Sequence, residues 1–111
     1  MKKIKVKGRV SVVVIKTLLE TKFVLHEDSG HGWLEVPYKA LVTLGIESKI
    51  SEWSYQDGEK VYLEEGRDAM LFIKKLYHYM DKHPGMPDLV IEEVYEGLES
   101  FILQFERYRV R

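Results

Sequence analysis

Residues 55–82 read YQDGEKVYLEEGRDAMLFIKKLYHYMDK, and within this stretch the apolar period changes from two to nearly four. Val61 and Leu63 alternate with Lys60, Tyr62 and Glu64, the pattern of a strand with two unlike faces. Beyond Gly66, the residues Ala69, Phe72, Ile73, Leu76, Tyr77 and Met80 recur at helical spacing, while Lys74, Lys75, His78, Asp81 and Lys82 take the opposite side. The spacing predicts an amphipathic helix over 67–82, ended by His83-Pro84-Gly85. Upstream, Asp57-Gly58 is the favoured two-residue hairpin turn and joins strands expected near 50–56 and 59–64. A helix that follows a hairpin directly must lay its apolar face on that hairpin's sheet, which implies an α+β fold.

The flanking sequence extends this picture. Ile4, Val6, Val10, Val12 and Val14 alternate with Lys3, Lys5, Lys7, Arg9 and Ser11, which reads as a strand continuing to Ile15. Residues 22–26 read as a second strand, Glu27-Asp28-Ser29-Gly30 as a turn, and Gly32–Val36 as a third strand. Pro37 suits the first position of a short helix that Gly45 would stop, with Leu41 and Leu44 facing inward. A strand is expected at about 88–95. The last element fits two periods: Leu98, Phe101, Ile102, Phe105 and Tyr108 suit a helix, the favoured reading, whereas Phe101, Leu103 and Phe105 suit a strand. The expectation is one α+β domain over 1–111, a mainly antiparallel sheet packed by the long helix 67–82 and shorter helices.

Composition narrows the function. The chain has 111 residues, 45% of them hydrophobic and 32% charged, with a formal net charge of −1 and no cysteine. A balance this even gives no overall attraction to nucleic acid or membrane, and zinc–thiolate, disulfide and thiol-nucleophile chemistry is excluded. Charges interrupt every short apolar run near the N-terminus, so no signal peptide or membrane span is expected and the location is read as cytoplasmic.

The stretch Gly30-His31-Gly32-Trp33-Leu34-Glu35-Val36-Pro37 is the best single place to look for a site. Glycine on either side of a histidine lets the backbone approach another group closely. As an acid or base, His31 needs an orienting carboxylate, which Glu27, Asp28 or Glu35 can supply. In the hairpin, Trp53, Tyr55, Lys60, Tyr62 and Glu64 share one face. They make either a stacking platform for a base or sugar or a second patch of core under the helix; both readings stand. Lys3, Lys5, Lys7 and Arg9 form a basic stripe suited to phosphates or to protecting an edge strand. Arg107, Tyr108, Arg109 and Arg111 offer guanidinium forks and a stacking ring. Asp68 sits where a carboxylate favours a helix N-terminus. The histidines His26, His31, His78 and His83 show no metal-ligand spacing, so no metal or cofactor is expected.

The ordered string from Gly30 to Pro37, with Leu44-Gly45-Ile46, Ser54-Tyr55, Val61-Tyr62-Leu63-Glu64-Glu65, Ser100-Phe101-Ile102 and Arg107-Tyr108, resembles a family of short uncharacterised proteins found on phages, plasmids and bacterial chromosomes. The resemblance spans roughly residues 28–73 and returns near 100–108. It implies an accessory protein that acts by binding, such as a phage counter-defence sponge: a homo-oligomer that sequesters a nucleotide signal of bacterial immunity.

Three functions follow as expectations. The first is a non-enzymatic binding protein for a small nucleotide-like anion, using His31, Trp33, Trp53, Tyr55, Lys60, Tyr62, Glu64, Arg67, Arg107, Tyr108 and Arg109. The second is a small hydrolase or nuclease with His31 as acid/base and Glu35 or Glu64 as its partner. The third is a nucleic-acid or protein interaction module working through the basic stripe of residues 3–9.

Overall fold

The computed structural model describes residues 12–111, and side chains from Ile15 onward. The expected strand over 3–11 and its basic stripe therefore lie outside the described residues. Val12–Leu19 is a helix, α1, where the alternation predicted strand. Its β-branched residues favour extended backbone only weakly. What decides is that Ile15, Leu18 and Leu19, one helical face, are all buried in the main core.

β1 (Phe23–Glu27) and β2 (Gly32–Pro37) stand as expected and pair antiparallel, with His26 opposite Trp33. Pro37 is extended (φ −71°, ψ 143°), so it caps helix α2 (Tyr38–Leu44) from outside and is not its first residue. At the other end Gly45 takes φ 71°; its N–H bonds Val42 O while the Ile46 N–H bonds Leu41 O, and Leu41, Leu44 and Ile46 are buried.

β3 (Tyr55–Asp57) and β4 (Lys60–Glu64) form the hairpin, but Asp57 pairs with Lys60 and Tyr55 with Tyr62. The loop is thus Gly58-Glu59, displaced from the expected Asp57-Gly58. Positive φ is confined to its first residue (Gly58, 61°), as in a type II′ turn. Residues 50–54, expected to extend this strand, instead form a loop.

α3 (Asp68–Lys82) is the long helix, and buries Ala69, Phe72 and Leu76, with Phe72 edge-on to Phe23 at 5.5 Å. Tyr77, assigned to its apolar face, is half exposed at the margin of that face. β5 (Ile91–Tyr95) lies parallel to β1.

The C-terminal segment is neither the favoured helix nor a long strand. Ser100 caps a 3-10 turn over Phe101–Gln104 by accepting the Ile102 N–H, and β6 (Glu106–Arg107) then pairs with β3. Its apolar residues serve two clusters, since Ile102 packs with Trp33, Tyr55 and Tyr62 while Tyr108 enters the main core; no single period can satisfy both.

Among the described residues six strands form one sheet in the order β5-β1-β2-β4-β3-β6, antiparallel except for β1 against β5. The fold class is α+β with a mainly antiparallel sheet. Leu34, Val36, Val61 and Leu63 point to the helices; Trp33, Tyr55 and Tyr62, one residue out of phase, point to the other face, where the 101–105 segment covers them. No described helix is long and apolar enough to cross a membrane.

Candidate functional site

The β1–β2 turn, the β4–α3 junction, the 50–54 loop and β6 converge on a groove of about 1090 Å³. Two buried carboxylates set its shape. Asp28 accepts the backbone N–H of Gly30 (3.0 Å) and His31 (2.8 Å) through one oxygen, and that of Ser100 (2.9 Å) through the other. Burial pushes its pKa up, but these backbone bonds, with the His31 ring, outweigh burial and hold it at about 2. The tight turn that results turns His31 outward, with Nδ1 3.1 Å from Asp28 Oδ1 and the ring stacked on Trp33 (5.2 Å, 22°).

Asp68 is completely buried and is the second anchor. It accepts the Ser51 N–H (3.1 Å) and hydroxyl (2.7 Å), the Ser54 hydroxyl, and Arg67 Nη1 (2.9 Å). Ser51 Oγ in turn accepts the Trp53 N–H at 3.2 Å, and Ser54 Oγ accepts the Glu64 N–H at 2.9 Å. One carboxylate therefore fixes the loop that carries Trp53, the end of β4 and the arginine at the start of α3.

On this frame Trp33 is 2% exposed and forms the floor, with Tyr55 edge-on to it at 6.0 Å. Trp53 stands 63% exposed at the rim. The Arg107 guanidinium lies over both rings, 4.5 Å from the Tyr55 centroid and 5.7 Å from that of Trp53. Opposite, Glu64 is spent on the N–H groups of Gly66 (2.8 Å) and Arg67 (2.9 Å). Glu65 is free to lie against Gly32, where an added Cβ would sit 1.9 Å from its Oε2. The absence of a side chain at Gly32 is what admits that carboxylate.

Seven of the eleven expected binding residues line this groove: His31, Trp33, Trp53, Tyr55, Glu64, Arg67 and Arg107. Four do not. Lys60 reaches Glu35 (3.6 Å) instead. Tyr62 is buried, with its pKa raised to about 12 by burial and then by Glu35, Asp57 and Glu96. Tyr108 donates its hydroxyl to Glu47 O from inside the core, and its pKa is likewise raised to about 12 by burial first, then by Tyr38 and Glu47. Arg109 faces solvent near Glu106 (3.9 Å). The proposed partners of His31 also change. Glu35 is held by His26 Nε2 (2.8 Å) and Glu64 by backbone, so the carboxylate on His31 is Asp28.

Sequence reasoning gave Asp28 only as one of three options, and missed Glu65 and the role of Asp68. An Asp two residues before a glycine is a signal for a side-chain-closed turn, which makes Asp28 legible in retrospect. It also missed a clamp on the buried His26, whose Nδ1 meets Glu96 at 2.5 Å and whose Nε2 meets Glu35; Glu96 also accepts the Ser100 hydroxyl, which ties the C-terminal segment to β1 and β2. Among the described residues no cluster of three histidine or carboxylate side chains is arranged to hold a metal ion. Chemically the groove offers an exposed indole, two guanidiniums, an oriented imidazole and carboxylates, of which Glu27 and Glu65 have no cationic partner among the described residues. No family model, curated protein or solved structure matches this chain.

Proposed function

We propose that the protein binds a small nucleotide-like anion at this groove, without transforming it. The observation that supports the reading most directly is Trp53: a large ring left 63% exposed, on a loop anchored to the buried Asp68 through Ser51 and Ser54, with Arg107 and Arg67 beside it. Exposed indoles on rigid supports suit stacking on a base, which contributes about 1–3 kcal/mol per base, and a guanidinium such as that of Arg67 supplies a complement to phosphate. The resemblance to phage-borne proteins adds that such a ligand would be an immune signalling nucleotide, sequestered by a homo-oligomer. Native mass spectrometry of freshly purified protein, then of the denatured protein, tests both parts. The expected result is an oligomer that releases an intact nucleotide-like mass, with retention lost in Trp53→Ala. Empty protein that also fails to retain any common nucleotide would refute the reading.

The Asp28–His31 pair favours a second reading, acid/base catalysis at the same groove. Asp28 stays ionised through the neutral range and orients the ring through Nδ1, leaving Nε2 for a substrate. Turnover of a nucleotide by wild type but not by folded His31→Ala would favour it.

A further inference from the structure

Beside the groove lies a second recess of about 570 Å³, and Trp53 and Arg67 belong to the walls of both. The two cavities differ in their charges. Glu27, Asp28, Glu64 and Glu65 all border the groove. Asp28 and Glu64 are saturated by backbone donors, whereas Glu27 and Glu65 have no cationic partner among the described residues. The smaller recess has Ser48, Lys49 and Arg67 in its walls and no carboxylate. Lys49 likewise has no carboxylate partner among the described residues. The carboxylate paired with the Arg67 guanidinium is Asp68, fully buried and already accepting from Ser51 and Ser54. Arg67 gives it only Nη1, so its other N–H donors remain available.

A phosphate entering the groove would meet two carboxylates without a cationic partner among the described residues, while amine and hydroxyl donors would be welcomed by them. A phosphate in the recess would meet an unpaired ammonium and a fork held in place by Asp68. From this division, and resting on the nucleotide-binding reading above, we infer that the ligand is a nucleoside phosphate bound across the Trp53 ridge. Its base and sugar occupy the groove, donating to Glu65 and Glu27, and its phosphate occupies the recess on Lys49 and Arg67. Arg107, committed to the faces of Tyr55 and Trp53 and to Glu52 O (3.4 Å), supports the stacking surface and does not take the phosphate.

Titration calorimetry of the common nucleoside 5′-monophosphates beside their nucleosides tests this on wild type and three variants: Lys49→Ala, Glu65→Gln and Arg107→Ala. Lys49, Glu65 and Arg107 are exposed, and circular dichroism checks that each variant folds. Wild type is expected to bind its preferred monophosphate about tenfold or more tighter than the nucleoside, the range of one charge-assisted contact. Lys49→Ala, which leaves Arg67 in place, should lower that ratio severalfold. Glu65→Gln should weaken nucleoside and monophosphate alike, and Arg107→Ala should weaken both while keeping the ratio. A ratio that survives Lys49→Ala, or collapses in Arg107→Ala, overturns the assignment but leaves nucleotide binding standing. If no nucleoside or nucleotide binds wild type, the proposed function itself falls and the assignment with it.

Discussion

Replacing Asp68 with alanine should destabilise the whole domain, although the carboxylate sits at the first residue of a helix near the surface groove. Asp68 is 0% exposed and accepts from the Ser51 N–H, the Ser51 and Ser54 hydroxyls and Arg67 Nη1. The Arg67 side chain is 63% exposed and regains water when the bond is lost, so it contributes little to the change. Ser51 is half-buried and is partly rehydrated. Ser54 is 0% exposed, so its hydroxyl loses its acceptor with no water to replace it; an orphaned buried polar group costs about 1–3 kcal/mol. Adding the weaker Ser51 bonds gives about 3 kcal/mol, a sizeable share of the roughly 5–15 kcal/mol by which domains are stable. At about 4–8 °C per kcal/mol for a chain of this size, Tm should fall by about 12–24 °C. Asp68→Asn keeps an oxygen acceptor and should lose about half as much. Urea unfolding followed by tryptophan fluorescence and thermal unfolding by circular dichroism measure this. Asp68→Ala unfolding within about 1 kcal/mol of wild type would refute the anchoring role and return Asp68 to a charge that merely favours a helix terminus.

Further outcomes follow from other residues. The Asp28 pKa is depressed from 3.8 to about 2, so its contribution is present above pH 4 and is lost as pH falls toward 2. Asp28→Asn should be clearly less stable than wild type at pH 7, and urea midpoints should converge as pH approaches 2. Tyr62 is raised from 10.0 to about 12, so wild type should lose stability as pH rises between those values, and Tyr62→Phe should flatten that limb of a pH-dependent urea series. Leu76 is fully buried in α3, and Leu76→Asp should leave no cooperative unfolding transition, since an unpaired buried charge costs several kcal/mol. Trp53→Ala should change stability by no more than about 0.5 kcal/mol, because the ring is mostly exposed, while weakening nucleotide binding by about tenfold or more.

What was legible in the sequence follows the range of the forces involved. Helix 67–82 and the faces of β4 depend on burial repeated every turn or every second residue, and Phe72, Leu76, Val61 and Leu63 sit where their periods place them. α1 was misread because Val12 and Val14 continue the alternation begun at Ile4, Val6 and Val10, whereas the core asks for Ile15, Leu18 and Leu19 together. The hairpin slipped by one residue because two candidate loops, Asp57-Gly58 and Gly58-Glu59, share the same glycine. Both loops keep Tyr55 and Tyr62 on one face; the observed one sets the two residues directly opposite each other, in the cluster with Trp33.

The site shows the same limit more sharply. The residue types of the groove were legible, because indoles, guanidiniums and a glycine-flanked histidine stand out in any chain. Their gathering was not, because it depends on one ladder between segments some fifty residues apart. β6 pairs Arg107 with Tyr55, which lays the guanidinium over that ring at 4.5 Å. The next N–H, from Tyr108, bonds Ser54 O at 2.8 Å and the Tyr108 side chain enters the core, so the chain leaves the sheet there and Arg109 is carried away toward Glu106. Two arginines that a strand period would put on one face are thus separated by a buried tyrosine. Ser54, which receives that bond through its carbonyl, is held through its hydroxyl by Asp68. The placement of Arg107 in the groove, and of Arg109 outside it, therefore depends on the same buried carboxylate that fixes Trp53 and Arg67.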